Sequence, residues 1–90
     1  MRHVPIEDSF DLHSFRPEDF QNALADYLEA AHERGFREVR VIHGKGKGVR
    51  RAEVRRWLLG HPLVLDFFDA GPERGGMGAT IVMLNPKSKI

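Results

Sequence analysis

Glu38-Val39-Arg40-Val41-Ile42-His43-Gly44-Lys45-Gly46-Lys47-Gly48-Val49 is the stretch that decides the fold. Glu38 to Ile42 alternates in the period of a half-buried strand, with Val39 and Val41 on one face. Gly44, Gly46 and Gly48 then fall within five residues, a run that holds neither a stable helix nor a strand. From Val49 to Leu59 the chain is helical in pattern, with Val54, Trp57 and Leu58 on its core face. Gly60-His61-Pro62 stops it. A strand, a glycine loop and a helix therefore form the central unit.

On the N-terminal side, Ser9 to Leu12 is predicted as a strand with Phe10 and Leu12 on one face and Asp11 and His13 on the other. Arg16-Pro17-Glu18-Asp19 reads as a helix start, since proline suits the first helical position and acids favour the positive end of the helix dipole. Phe20, Leu24, Tyr27, Leu28 and Ala31 continue as an apolar stripe that Gly35 terminates. On the C-terminal side, Leu63–Asp69 and Ala79–Leu84 are strands joined by Ala70–Gly78. The order is β-α-β-α-β-β. Right-handed crossovers that step in the same direction place both helices on one face, and the last connection is a hairpin. The expected fold is α+β: a two-layer sandwich with a mixed four-stranded sheet, order 1-2-4-3, and two helices on one face. Residues 1–8 form a polar lead, 9–84 the domain, and 85–90 a frayed tail.

Ninety residues bound the chain to one domain with a modest core. It has no cysteine, which removes disulfides and thiolate metal sites and suits a cytoplasmic location. No apolar run is long enough to span a bilayer, and residues 1–8 carry Glu7 and Asp8 in place of a signal peptide's apolar segment. The net charge of +1 conceals an uneven distribution. Residues 1–33 set two arginines against eight carboxylates, a balance of −6, and residues 34–56 set nine cations against Glu38 and Glu53, a balance of +7. A basic segment inside a near-neutral chain points to a local anion site.

Parallel strands 1, 2 and 3 end at the same edge of such a sheet, where α/β sheets bind ligands. His13 ends the first strand and His43 the second. Neighbouring strands lie about 5 Å apart, so the two imidazoles are expected to face one ligand. Asp11, two residues before His13, shares its face and is suited to orient it. Gly44 to Gly48 leads into a helix N-terminus, a place where backbone N–H groups bind phosphate. Lys45, Lys47, Arg50 and Arg51 surround it, and Arg74-Gly75-Gly76-Met77-Gly78 borders the same edge. A nucleotide-binding P-loop is excluded because Val49 stands where a Ser or Thr hydroxyl is needed. The dinucleotide fingerprint fails at its third glycine, again Val49. Nothing has zinc-ligand spacing.

Together these residues resemble the Smr domain, the small MutS-related family. Phe10-Asp11-Leu12-His13 is similar to its Leu-Asp-x-His motif, with Phe10 replacing leucine. His43-Gly44-Lys45-Gly46 matches His-Gly-x-Gly, and Gly75-Gly76-Met77-Gly78-Ala79-Thr80 looks like its third segment. Arg50 stands where the family commonly carries an apolar residue, and Ser14 where glycine often follows the first motif. The resemblance covers residues 9 to 84. It implies a fold like the C-terminal domain of translation initiation factor 3 and an endonuclease acting on RNA or nicking DNA.

On that reading Asp11, His13 and His43 are catalytic. One histidine takes a proton and the other protonates the leaving oxygen. Gly44, Lys45, Gly46, Lys47, Gly48, Arg50, Arg51, Gly75, Gly76 and Met77 hold the phosphate. RNA chemistry of this kind needs no cofactor or metal, whereas DNA cleavage brings in a divalent ion recruited by Asp11. The alternative is a non-cleaving module that docks on ribosomal RNA or a DNA-repair complex. It would use an open sheet face of Ile42, Val64 and Phe68 beside Arg40 and Asp66.

Overall fold

The computed structural model describes residues 8–12, 15–44, 48–74 and 76–86, the side chains of Arg74 and Met77 apart. Four strands and two helices alternate as expected: β1 (Ser9–Asp11), α1 (Phe20–Glu33), β2 (Glu38–Ile42), α2 (Val49–Leu59), β3 (Val64–Asp69) and β4 (Ala79–Leu84). Two short 3₁₀ turns, Pro72–Arg74 and Gly76–Gly78, build the β3–β4 connection. The sheet order is β1-β2-β4-β3, with β1 parallel to β2 and β4 antiparallel to both neighbours. This is the α+β sandwich that the crossover argument requires.

One core holds it together. Phe20, Leu24, Tyr27, Leu28 and Ala31 of α1 and Val54 and Leu58 of α2 join Leu12, Val39, Val41, Val82 and Leu84 in a single buried cluster. Val39 faces Val82 across the β2–β4 ladder, so both helices cover the same side of the sheet. Each fully buried leucine contributes about 1.5–3 kcal/mol by leaving water. Phe10 stacks on Tyr27 with ring centroids 4.5 Å apart, which binds the short β1 to α1. Trp57, expected on the core face, is half-buried, packs against the edge of this cluster and tilts against His61. The α1 terminus closes as a Schellman turn, in which Phe36 N–H donates to Ala31 O and Gly35 N–H to His32 O.

Several expectations need correcting. The Arg16–Asp19 segment is a turn and α1 proper starts at Phe20, although Phe20 N–H already donates to Arg16 O at 3.1 Å. β1 stops at Asp11, yet Leu12 N–H still bonds Ile42 O at 2.8 Å. β3 begins at Val64, not Leu63. Asn85 is held rather than frayed: its N–H donates to Leu63 O and its side-chain amide to Pro62 O, both at 2.9 Å.

The largest correction concerns the face expected to be open. Strict alternation along β3 would put Val64, Asp66 and Phe68 there together. A register shift intervenes, with Val64 opposite Leu84 but Asp66 opposite Met83. Leu65 is therefore the extra residue of a β-bulge and lies 62% exposed. The bulge turns Val64 toward the helix-side core, against which it packs with Phe67. The far face is also not bare, because Ala70, Ala79 and Ile81 form a second buried cluster flanked by Ile42 and Met83. Phe68 remains exposed on it.

Candidate nucleic-acid interface

The carboxyl end of β2 is where the motifs meet. His43 follows Ile42 directly, and its N–H donates to Gly78 O at 3.0 Å, while Gly44 N–H donates to the same oxygen at 2.9 Å. The second and third glycine-rich segments are thus joined by one shared carbonyl. Gly44 has φ +83°, a left-handed backbone that glycine adopts without strain.

His43 is 3% exposed. Its Nδ1 is bonded to Gly44 O at 3.0 Å and its Nε2 to Thr80 Oγ1 at 2.9 Å. Burial lowers the affinity of this imidazole for a proton, the Gly44 carbonyl opposes that, and the positive Arg51 and Arg55 lower it further. Both ring nitrogens are therefore occupied from within. Asp11 lies elsewhere: it pairs in register with Ile42, is exposed, and sits between core-facing Phe10 and Leu12. Alternation places it on the sheet side opposite the His43–Thr80 contact.

Gly48 caps α2 with φ +82° and has no side chain to satisfy the first-turn N–H groups. Those groups point out of a helix N-terminus that favours an anion. The two arginines that follow are spoken for. Arg51 makes a forked contact with Asp69, Nη2 donating to both carboxylate oxygens at 2.8 and 2.9 Å and Nε to Oδ1 at 3.2 Å. Arg55 donates to the same Oδ1 at 2.6 Å. The Arg51 hydrogen bond, more than any other influence, holds the Asp69 carboxyl below the usual range. Two guanidiniums share one carboxylate, so the cluster keeps a positive excess beside the loop.

Arg50 turns the other way. Its Nη1 donates to Leu12 O and its Nη2 to Phe15 O, each at 3.1 Å, with the guanidinium 4.9 Å from the Phe20 ring centre. It brackets the two ends of the segment that carries His13 and is engaged with backbone rather than aimed at solvent. His13, Lys45, Gly46, Lys47 and Gly75 lie outside the described residues, as does the Met77 side chain. Gly76 belongs to the turn that delivers Gly78, with its N–H on Gly71 O at 3.0 Å. Gly78 lies at this edge, within the Arg74–Gly78 segment expected there, whereas the contact of Thr80 with His43 was not anticipated from sequence. Thr80 had a signal: it is the one polar residue in the apolar run Ala79–Leu84, and a buried hydroxyl needs a partner.

An open depression of about 460 Å³ lies elsewhere, lined by Asp26, Glu29, Ala30, His32, Glu33 and Leu63. Its three carboxylates give it the wrong sign for phosphate. Among the described residues no cluster of three or more His, Cys, Asp or Glu stands ready to hold a metal ion, and no helix is long and apolar enough to cross a membrane.

Comparison with known proteins matches residues 10–85 to the family described as the Smr domain. The chain belongs to the Smr domain family. Among its relatives, Endonuclease MutS2 of Thermomicrobium roseum is 39% identical over 79 residues, covering 88% of this chain and 10% of that protein. Endonuclease MutS2 of Solidesulfovibrio magneticus is 42% identical over 74 residues, covering 82% of this chain and 10% of that protein. The Smr chain thus spans about a tenth of the length of these relatives. The crystal structure of the Smr domain of Thermus thermophilus MutS2 superposes with a TM-score of 0.84 at 34% identity, covering 89% of this chain and all of that one. YdaL, a stand-alone small MutS-related protein from Escherichia coli, gives 0.82 at 31%, covering 89% of this chain and 66% of that one.

Proposed function

We propose that this Smr domain binds a nucleic-acid phosphate at the carboxyl edge of its sheet and cleaves the adjacent phosphodiester as an endonuclease. The observation that carries the reading is the joining of Gly44 to Gly78 at the end of β2, with Arg51 and Arg55 near enough to His43 to lower its proton affinity. The first-turn N–H groups of α2 after Gly48, and the excess of Arg51 and Arg55 over Asp69, support an anion-binding role. The endonuclease names of the MutS2 relatives supply the reaction class.

Roles divide by position. His13, bracketed by Arg50 through Leu12 and Phe15, is the group that exchanges a proton with the reacting phosphodiester. Asp11 precedes it on the exposed strand end and favours its charged form. His43 acts from behind, because its ring nitrogens are bonded to Gly44 and Thr80. The glycine loop, with Lys45 and Lys47, balances the charge that develops on phosphorus oxygens. With RNA the attacking group is the neighbouring 2′-hydroxyl, and with DNA it is water.

The test is to incubate the purified protein with labelled RNA and with supercoiled plasmid, each in the presence of chelator and of magnesium. Cleavage of either substrate supports the reading, and the substrate cut decides between RNA and DNA. Tight binding of both without cleavage of either would replace it with a docking role in a ribosomal or DNA-repair assembly.

A further inference from the structure

Asp69 is the last residue of β3, and β3 runs parallel to β2, since both are antiparallel to β4. It therefore ends at the sheet edge where β2 delivers His43 and Gly44. Asp69 pairs with Thr80 and Thr80 with Val41, so β3 lies two strand spacings from β2, roughly 10 Å. Arg51 and Arg55 reach Asp69 from successive turns of α2, and all three charges act on the His43 ring. We propose that Arg51 and Arg55 form a second phosphate subsite for a nucleic-acid strand held at the glycine edge, with Asp69 as its resting occupant. This inference rests on the phosphate-binding reading above and extends it to a further phosphate of the same strand.

The two guanidiniums have more donors than Asp69 can take. Each carries about five N–H groups, and a carboxylate offers about four lone-pair sites. Oδ1 receives three of the four hydrogen bonds, from Arg51 Nε, Arg51 Nη2 and Arg55 Nη2, whereas Oδ2 receives one. Arg55 Nε is buried with no partner among the described residues, which offsets part of what the bond to Asp69 contributes. The Asp69 side chain is 41% exposed, so water screens the contact and can solvate the carboxylate when it leaves. The Arg55 guanidinium also lies 5.3 Å from the Phe67 ring centre, a contact that does not need Asp69. A free phosphate would compete poorly with a carboxylate tethered in place. A strand already gripped at the glycine edge presents its further phosphates at high local concentration, and guanidiniums bind phosphate oxygens in the same forked way as a carboxylate.

The experiment measures binding of a short single-stranded oligonucleotide across a salt series for the parent, Arg55→Met, Arg56→Met and Asp69→Asn. Arg55→Met and Arg56→Met remove the same charge at adjacent positions, and of the two arginines only Arg55 bonds Asp69. Arg55→Met should bind roughly tenfold more weakly, the lower end for a hydrogen bond to a charged group. Its salt slope should flatten by about 0.7, one single-strand phosphate. Arg56→Met should stay within about twofold of the parent, since an exposed charge is screened. Asp69→Asn should bind more tightly. Proton–nitrogen NMR of the parent should show the Arg51 and Arg55 Nε–H signals moving as the oligonucleotide is added. Equal losses in Arg55→Met and Arg56→Met overturn the subsite, as do Nε–H signals that stay still while the oligonucleotide binds. The same titration read at the Gly44 and Gly48 amides tests the underlying reading separately: binding that moves the arginine signals and leaves these amides unmoved overturns the glycine-edge site alone. A parent and an Asp69→Asn variant that both fail to bind overturn both. If Arg55→Met fails to fold, Asp69→Asn and the Nε–H signals decide: tighter binding with moving signals supports the subsite, and unchanged affinity overturns it.

Discussion

Arg50 donates from Nη1 to the Leu12 carbonyl oxygen at 3.1 Å, tying the first turn of α2 to the residue before His13. The second bond, to Phe15 O, closes the bracket from the other side. The bond to Leu12 O is partly buried and so less screened than the exposed one to Phe15 O. Arg50→Leu, which restores the kind of residue common in the family, should cost about 1–3 kcal/mol of stability and speed amide exchange at Phe15. Urea unfolding and hydrogen exchange check both. Unchanged exchange at Phe15 would show that the bracket does not restrain this segment.

The β3 bulge separates two neighbours that sequence alone treats alike. Leu65→Ser should change stability by no more than about 0.5 kcal/mol, because the extra residue faces solvent. Val64→Ser should cost about 1–2 kcal/mol, because the bulge turns Val64 onto the core. Thermal unfolding of the two variants compares them directly. Equal effects would mean that the register shift is absent in solution.

The bulge also marks where sequence reading stops. β2, α2 and β4 were legible to the residue, because glycines and proline punctuate the chain around them: β2 alternates, α2 follows directly on the glycine loop and stops at Gly60, and β4 is a short apolar run between Gly78 and Asn85-Pro86. The α1 stripe was legible for the same reason. The bulge was not, since Leu63-Val64-Leu65 is apolar at every position and carries no period. At the proposed site, the motifs did not give the direction of each side chain. His43 reads as a ligand-facing imidazole until Thr80, 37 residues away, is seen beneath it. Arg50 and Arg51 read as an equivalent pair until one is found on the Leu12 and Phe15 carbonyls and the other on Asp69.

Stability should depend on pH through His43. Burial, the dominant influence, holds its proton affinity below that of a free imidazole. His61 is lowered the same way, with Glu29 opposing. The unfolded chain then binds protons near 6.5 while the folded chain does not, so stability is full above that value. It falls as pH drops through the lowered folded values. The urea midpoint should be flat above about pH 7 and decline below about pH 6.5. His43→Gln should remove part of that decline. An identical decline in the variant would place the titration in other groups.

Asp69 holds Arg51 and Arg55 together and partly neutralises them. Asp69→Asn should cost little stability, since the cluster is solvent-accessible. It should tighten oligonucleotide binding and steepen the dependence on salt by up to about one phosphate contact. Fluorescence anisotropy across a salt series measures both. Unaltered affinity and slope would place the nucleic-acid backbone away from this pair.

Cleavage and binding measured side by side in His13→Ala and the parent test the central claim, that His13 supplies the chemistry while the glycine loop supplies the grip. The variant should bind the oligonucleotide about as well as the parent and cleave it about a hundredfold more slowly or worse, the usual loss of acid–base assistance. Parent-level cleavage by His13→Ala would contradict the claim and place the reacting group elsewhere.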